Sequence, residues 1–130
     1  MSEQLRSEVL QSLLYRLCWI GPVEEVVFDD AVKFIESIPD DLPLPELGLT
    51  EAGNVSFDWC EGPLQSITAV VDDSGSVAVI LLLGDHHEEW NTIVDDFFCD
   101  RTKKLIKLAI DKTIAGFEEV EYGRLLVRKK

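Results

Sequence analysis

The fold is set by residues 38–84, which read IPDDLPLPELGLTEAGNVSFDWCEGPLQSITAVVDDSGSVAVILLLG. Proline lacks an N–H donor and disfavours helix at the residue before it, so residues 38–45 are predicted to form an extended connector. Residues 55–60 alternate apolar and polar side chains, which indicates a strand with one buried face. Turn residues separate the apolar segments, and Gly53 and Asn54 are expected to supply positive φ in the first turn. The stretch therefore predicts an antiparallel meander with strands over 46–50, 55–60, 64–71 and 77–83.

The fourth of these strands, Val77–Leu83, is an unbroken apolar run. A strand without alternation is typical of one that is buried on both faces. Two N-terminal helices cover only one face of a sheet. We therefore expect the other face to be covered either by a later helix or by a second copy of the chain, which would make the protein a homodimer.

Helices are predicted on both sides of the meander. Residues 3–19 carry an apolar stripe at helical spacing, formed by Leu10, Leu13, Leu14 and Leu17 and extended by Leu5, Val9 and Cys18. A second helix runs from Pro22 to about Ser37, with the stripe Val27, Ala31, Phe34, Ile35 and Ile38. A third helix is expected to begin with Asp100 as its N-cap and to end at Gly116.

The sequence thus predicts an α+β fold with a five- or six-stranded, mainly antiparallel sheet. The two N-terminal helices lie on one face, and the later helix lies beside the sheet. Residues 88–94 supply a fifth, edge strand with Trp90 on the core side, and residues 120–127 supply a last strand. A chain of 130 residues suits a single domain over residues 1–130.

Charge is distributed unevenly along the chain. The formal net charge is −13, and residues 1–100 hold 21 acidic and three basic side chains, whereas residues 101–130 hold four and nine. Phosphate binding requires clustered lysine and arginine, so this balance argues against direct binding of nucleic acid or of an anionic membrane. Three dispersed cysteines, no signal peptide and no long apolar run predict a cytoplasmic protein without disulfides.

One family resemblance is visible over residues 23–84. The helix pair, the segment Leu42-Pro43-Leu44-Pro45, Gly53, and then Phe57 and Trp59 resemble small bacterial proteins of uncharacterised function that are often carried on mobile elements. The resemblance implies a bacterial origin and supports the fold, but it implies no catalytic residues.

Candidate chemistry is confined to a few side chains. His86 and His87 lie in the cluster Asp85–Glu89, but neighbouring residues on a strand point to opposite faces, so a shared metal is not predicted. Cys99 precedes a helix, and a helix N-terminus lowers a thiol pKa. An alternative interpretation is therefore a small enzyme or ligand-binding domain that uses these histidines or Cys99. The main interpretation requires no metal, no cofactor and no catalysis.

Carboxylates give the stronger functional signal, because the first hundred residues carry a balance of −18. The sequence favours a non-enzymatic inhibitor or neutralising partner that mimics DNA and binds the basic surface of a nucleic-acid-handling protein. Anti-CRISPR proteins, anti-restriction proteins and antitoxins belong to this class. A second alternative is an immunity or assembly subunit whose acidic surface keeps it soluble. The predicted partner-binding residues are Glu24, Glu25, Asp29, Asp30, Asp72 and Asp73, with Arg101, Lys104 and Lys107 less sensitive or forming a second contact.

Overall fold

The computed structural model describes residues 3–20 and 24–111. Two helices, α1 (Glu3–Ile20) and α2 (Glu25–Glu36), precede a five-stranded sheet and two further helices. The strands are β1 (Glu46–Leu49), β2 (Val55–Gly62), β3 (Gln65–Val71), β4 (Ser76–Leu83) and β5 (His86–Ile93), and the later helices are α3 (Val94–Phe97) and α4 (Asp100–Ala109). The predicted α+β fold with an antiparallel sheet is confirmed. No helix in the described ranges has the length and apolar character needed to cross a membrane.

The sheet is a simple meander in the order β1-β2-β3-β4-β5, with every neighbouring pair antiparallel. Its register aligns Trp59 on β2 with Ile67 on β3, and Ile67 with Leu81 on β4. In the first turn Gly53 takes a φ of 85°, a conformation that favours glycine. Asn54 was expected to share that role, but its φ is negative and its N–H instead donates to Thr50 Oγ1 at 3.1 Å.

An aromatic cluster joins the helices to the sheet. Phe34 of α2 stacks on Phe57 of β2 with ring centroids 4.2 Å apart, and it lies 4.9 Å from the ring of Phe97 in α3. Trp59 stacks on Phe97 and donates its indole N–H to the carbonyl of Pro43 at 2.9 Å. The proline-rich connector is thereby fixed to the core, since a buried indole N–H requires an acceptor.

Helix α4 packs on the same face of the sheet as α2 and α3. Gln65 of β3 is 1% exposed, and its Nε2 donates to the carbonyls of Leu108 at 2.8 Å and Asp111 at 2.7 Å. These contacts satisfy carbonyls at the C-terminal end of the helix, which lack partners within it. The later helix therefore does not cover the far face of the sheet, which was one of the two expected arrangements.

The expectation that β4 is covered on both faces is not met within the described residues. Its side chains alternate between buried positions and more accessible ones, and Ile80 is 37% exposed. We call the sheet surface that faces away from the helices the open face. Along the three inner strands it carries Ser56, Asp58, Cys60, Ser66, Thr68, Val70, Ala78, Ile80 and Leu82. Strand β4 lacks alternation in sequence because its open-face residues are aliphatic too.

Several boundaries differ from the sequence prediction. The short helix α3 was not predicted, and β5 begins at His86 rather than residue 88. The N-cap of α4 is Cys99, not Asp100, and the helix ends at Ala109 before the expected Gly116. The predicted last strand lies outside the described residues. On α1, Leu10 and Leu14 are buried, whereas Leu13 and Val9, expected in the same stripe, are 40% and 37% exposed.

Candidate acidic interface

Helix α2 separates apolar and acidic side chains through its 3.6-residue period. Its buried side consists of Val27, Ala31, Phe34 and Ile35. Glu24 at the N-cap, Glu25 in the first turn and Asp29 are exposed, and Asp30 is half-buried. Carboxylates at the start of a helix are stabilised by the partial positive charge of the helix N-terminus. Four of the six predicted partner-binding residues therefore lie within two turns of one helix.

The other two predicted residues lie in the hairpin that joins β3 to β4. Oδ1 of Asp72 accepts hydrogen bonds from the hydroxyl of Ser74 at 2.7 Å, from its N–H at 2.9 Å, and from the N–H of Ser76 at 3.2 Å. Burial acts to raise the pKa of Asp72, but these hydrogen bonds outweigh it and hold the pKa below its usual value. Asp72 therefore shapes the turn as a carboxylate, while Asp73 beside it is exposed.

The hairpin and the helix meet, although their residues are far apart in sequence. A Cβ atom placed on Gly75 would lie 3.9 Å from Oδ2 of Asp30, which is an ordinary van der Waals distance. The tip of the turn therefore lies next to the helix carboxylate. Gly75 itself has a φ of 83°, as the turn requires. The structure thus brings Asp30 together with the loop that contains Asp72 and Asp73. Glu25 lies five residues before Asp30, or about 7.5 Å along the helix axis.

Further carboxylates lie at the same end of the sheet. The register pairs the end of β1 with the start of β2, the end of β3 with the start of β4, and the start of β4 with the end of β5. The β1–β2 turn with Glu51, the β3–β4 hairpin, and the start of α3 with Asp95 and Asp96 therefore share one end. We call this surface the acidic end and define it as Glu24, Glu25, Asp29, Asp30, Glu51, Asp72, Asp73, Asp95 and Asp96.

Sequence reasoning missed three of these residues. Glu51 is exposed in a turn that the sequence did predict, so the strand order alone would have placed it. Asp95 and Asp96 are exposed in the first turn of α3, a helix too short to give a periodic signal. Their positions depend on how β5 ends, which only the sheet register reveals.

Basic side chains are nearly absent from the segment that supplies the acidic end. Residues 24–100 contain 19 acidic residues and one basic residue, Lys33. On α4, Nζ of Lys107 lies 3.1 Å from Oδ2 of Asp41, and this hydrogen bond is the largest cause of the lowered pKa of Asp41. Arg101 pairs with Glu88 at 2.7 Å. Arg101 and Lys107, two of the three cations predicted to be less sensitive or to form a second contact, are thus engaged with carboxylates outside the acidic end.

The two histidines do not converge on one site. Nε2 of His86 lies 2.7 Å from Glu88, and Nε2 of His87 lies 2.9 Å from Glu89. Adjacent residues on β5 face opposite sides of the sheet, so each histidine has its own carboxylate partner. Within the described ranges, no group of three or more histidine, cysteine or acidic side chains is arranged to hold a metal ion.

The Glu88 carboxylate links β5 to α4. Hydrogen bonds from His86 and then Arg101 lower its pKa. The guanidinium of Arg101 also lies 4.9 Å from the ring centroid of Trp90, within the range of a cation–π contact. This exposed network provides a structural link between helix and strand, in which His86 shares the Glu88 carboxylate with Arg101.

The two described cysteines have free thiols in opposite environments. Sγ of Cys99 lies 3.4 Å from the hydroxyl of Thr102, and hydrogen bonds from that hydroxyl and from the Thr102 N–H lower the thiol pKa. Burial, followed by the charges of Asp58 and Glu46, raises the pKa of Cys60. Cys99 is the more acidic thiol, as its place before a helix predicted, but its nearest described partner is a hydroxyl rather than a base.

Comparison with known proteins finds no matching family model, no matching curated protein and no matching solved structure.

Proposed function

We propose that this chain is a non-enzymatic acidic protein that binds the basic, nucleic-acid-binding surface of a partner protein and blocks it. The observation that carries the proposal is the acidic end, where carboxylates from α2, two turns and α3 converge. Lys33 is the one basic residue in the same 77-residue span, 24–100. Carboxylates concentrated in this way raise the local concentration of a cationic partner and accelerate its association.

The spacing of the charges supports mimicry of a nucleic-acid backbone. Neighbouring strands are about 4.8 Å apart, so five strand ends span about 19 Å. Five carboxylates on the turns and α3 are distributed over that span, or about one charge per 4 Å, against about 3.4 Å per charge along one DNA strand. The acidic face of α2 adds a second row. A protein groove lined with lysine and arginine to hold a phosphate backbone fits such a surface.

The proposed partner class is a bacterial restriction enzyme, an RNA-guided nuclease or a nucleic-acid-cleaving toxin, met in the cytoplasm. Each binds nucleic acid through a basic groove, so the same acidic surface would inhibit any of them. An anti-restriction, anti-CRISPR or antitoxin role is then distinguished by the partner that the protein captures, not by the chemistry of its surface.

The test compares two double charge reversals. Asp29→Lys with Asp30→Lys changes the acidic end. Glu61→Lys, near the end of β2, with Asp85→Lys, in the turn between β4 and β5, makes the same charge change at the opposite end of the sheet. The wild-type chain, immobilised on resin, is exposed to bacterial lysate at low salt, and bound proteins are eluted with salt. We expect a nucleic-acid enzyme whose binding to labelled DNA is inhibited by the wild-type chain.

The first variant is expected to associate with that enzyme about tenfold more slowly, since steering depends on the charges that approach the partner. The second variant is expected to remain close to wild type. Melting temperatures of both variants check that the fold is retained, and the two variants are matched in burial, since each changes one exposed and one half-buried carboxylate. Equal inhibition by all three proteins, or equal loss in both variants, would contradict binding through the acidic end.

A further inference from the structure

The open face has a definite pattern in its middle row. Across the sheet, the register aligns Glu46, Asp58, Thr68, Ile80 and Glu89. The aliphatic side chain of Ile80 on β4 therefore lies between carboxylates, with Glu89 on one side and Asp58 and Glu46 on the other. Residues 46–93, which include all five strands, contain no lysine and no arginine.

The aliphatic part of the face forms a strip along β4. Ala78, Ile80 and Leu82 point to this side at alternate positions, and Val70 of β3 lies opposite Ala78. Ile80 is 37% exposed, and the other three side chains are half-buried. From Ala78 to Leu82 the strip is about 13 Å long, which corresponds to between two and three turns of an α-helix.

Each margin of the strip carries a negative charge within reach of a ligand lying on it. Glu89 is one strand away from Ile80, and Asp58 is two strands away, or about 5 and 10 Å. Oδ1 of Asp58 accepts a hydrogen bond from Thr68 at 2.8 Å. A carboxylate offers about four acceptor positions, so this bond leaves Asp58 able to bind a cation as well.

We propose that the open face binds an amphipathic basic helix of a partner protein, with the apolar side of that helix on the β4 strip and its lysine or arginine side chains on Asp58 and Glu89. A helix is about 10 Å across, so one lying along β4 covers two to three strands. Helix-on-sheet packing is already how the covered face is built, where α2 places its apolar stripe on β2. The bound helix would complete a three-layer arrangement.

Charge disfavours a second copy of this chain as the occupant. Two open faces packed against each other would bring Glu46, Asp58 and Glu89 of both copies into one interface, with no lysine or arginine on either sheet. Like charges placed across an interface cost several kcal/mol in binding. A basic partner turns the same carboxylates into attractive contacts.

The inference rests on the proposed function only in that the partner is basic. The surface is the open face rather than the acidic end, and the contact is partly apolar. The probe is a fluorescently labelled, 14-residue helix-forming peptide of leucine and lysine, with a matched peptide of leucine and glutamate as its control. Binding of each to the full chain is measured by fluorescence anisotropy. The variants are Ile80→Ser and Leu82→Ser on the strip, Asp58→Asn with Glu89→Gln on its margins, and Val26→Ser as an apolar control, 52% exposed on α2.

We expect the lysine peptide to bind and the glutamate peptide not to bind. Ile80→Ser and the Asp58→Asn, Glu89→Gln variant should each weaken binding by about tenfold, and Val26→Ser should leave it unchanged. Adsorption to carboxylates elsewhere would not respond to Ile80→Ser, so an unchanged affinity in that variant overturns the proposal. So does failure of the lysine peptide to bind, or a dimer seen by light scattering that Ile80→Ser dissociates. If Ile80→Ser fails to fold, the affinity of Leu82→Ser for the lysine peptide tests the same point.

Discussion

The two faces of the sheet differ in what the described helices do for them. On the covered face, Phe57, Trp59 and Ile67 are at most 2% exposed, and every helix from α2 to α4 contributes a contact. On the open face, the matching positions are Asp58, Thr68 and Ile80, which remain half-buried or exposed. Strands of the same sheet therefore carry a packed core on one side and an accessible surface on the other.

The difference shows that an apolar strand sequence does not by itself report burial on both faces. β4 is an inner strand, flanked on both sides by hydrogen-bonded neighbours, so aliphatic side chains suit its backbone wherever they point. Strand β2 alternates because its open-face positions are Ser56, Asp58 and Cys60.

A matched pair of isoleucines gives the largest expected contrast between the faces. Ile67 on β3 is fully buried, and Ile80 on β4 is 37% exposed on the other side of the sheet. Ile67→Ala should lower the free energy of unfolding by about 2–5 kcal/mol, because it leaves a cavity in the core. Ile80→Ala should lower it by about 1 kcal/mol or less. Urea denaturation of the two variants measures both values.

This pair also tests whether the open face is accessible in solution. A loss for Ile80→Ala as large as that for Ile67→Ala would show that the open face is packed in the folded protein. Repeating the denaturation at several protein concentrations then separates packing by a second copy, which depends on concentration, from packing within one chain.

A matched pair of polar residues, one on each face of the sheet, should show the same contrast with smaller losses of stability. Gln65 on the covered face donates two hydrogen bonds to carbonyls at the end of α4, whereas Thr68 on the open face donates one to Asp58. Gln65→Leu should cost about 1–3 kcal/mol, since it removes both hydrogen bonds that the buried Gln65 side chain donates to the end of α4. Thr68→Val should cost about 1 kcal/mol or less, since water reaches Asp58. Hydrogen exchange of the α4 amides should become faster only in the Gln65 variant, which would show that its loss of stability arises at α4.

Much of the fold was predictable because local patterns agreed with the tertiary structure. The alternation in β2 and the apolar stripe of α2 were each predicted and confirmed. The proline connector is non-helical as predicted, but the N–H of Leu42 donates to the carbonyl of Pro39 at 3.2 Å, so its first half is a turn rather than extended. The predictions that were wrong involve long-range packing. The face on which α4 packs is fixed by Gln65, a residue more than 40 positions away in sequence. Nor does any local pattern mark α3, which is held by the contact of Phe97 with Phe34.

The candidate site was predictable as chemistry but not as geometry. Composition identified the acidic pairs, and the α2 period correctly put Glu25 and Asp29 on its exposed side. The approach of Asp30 to the hairpin at Gly75 is a tertiary contact that no residue spacing reveals. Glu51 and the α3 carboxylates belong to the site because they lie at the same end of the sheet. Their common location follows from the pairing register of the strands.

The last prediction compares two thiols, one on the open face and one in the helix layer. Cys60 lies on β2 near Asp58 and Glu46, and Cys99 lies at the N-cap of α4 beside Thr102. Because the thiolate is the nucleophile, the lowered pKa of Cys99 and the raised pKa of Cys60 should make Cys99 several times faster toward iodoacetamide at pH 7. Digestion at glutamate places the two cysteines on separate peptides, since Glu61, Glu88 and Glu89 lie between them, and mass spectrometry of those peptides measures each rate.

The pH dependence decides whether protonation, rather than access, causes that difference. As pH rises, Cys99 should reach its maximum rate first, because its pKa is lowered, and Cys60 should continue to gain above the usual thiol pKa. The ratio of the two rates should therefore shrink as pH rises. Glu46→Gln removes one of the carboxylates that disfavour the Cys60 thiolate, so it should accelerate Cys60 and leave Cys99 unchanged. A rate ratio that stays constant from pH 7 to 10 would instead mean that access to the reagent, not the charge on the open face, separates the two thiols.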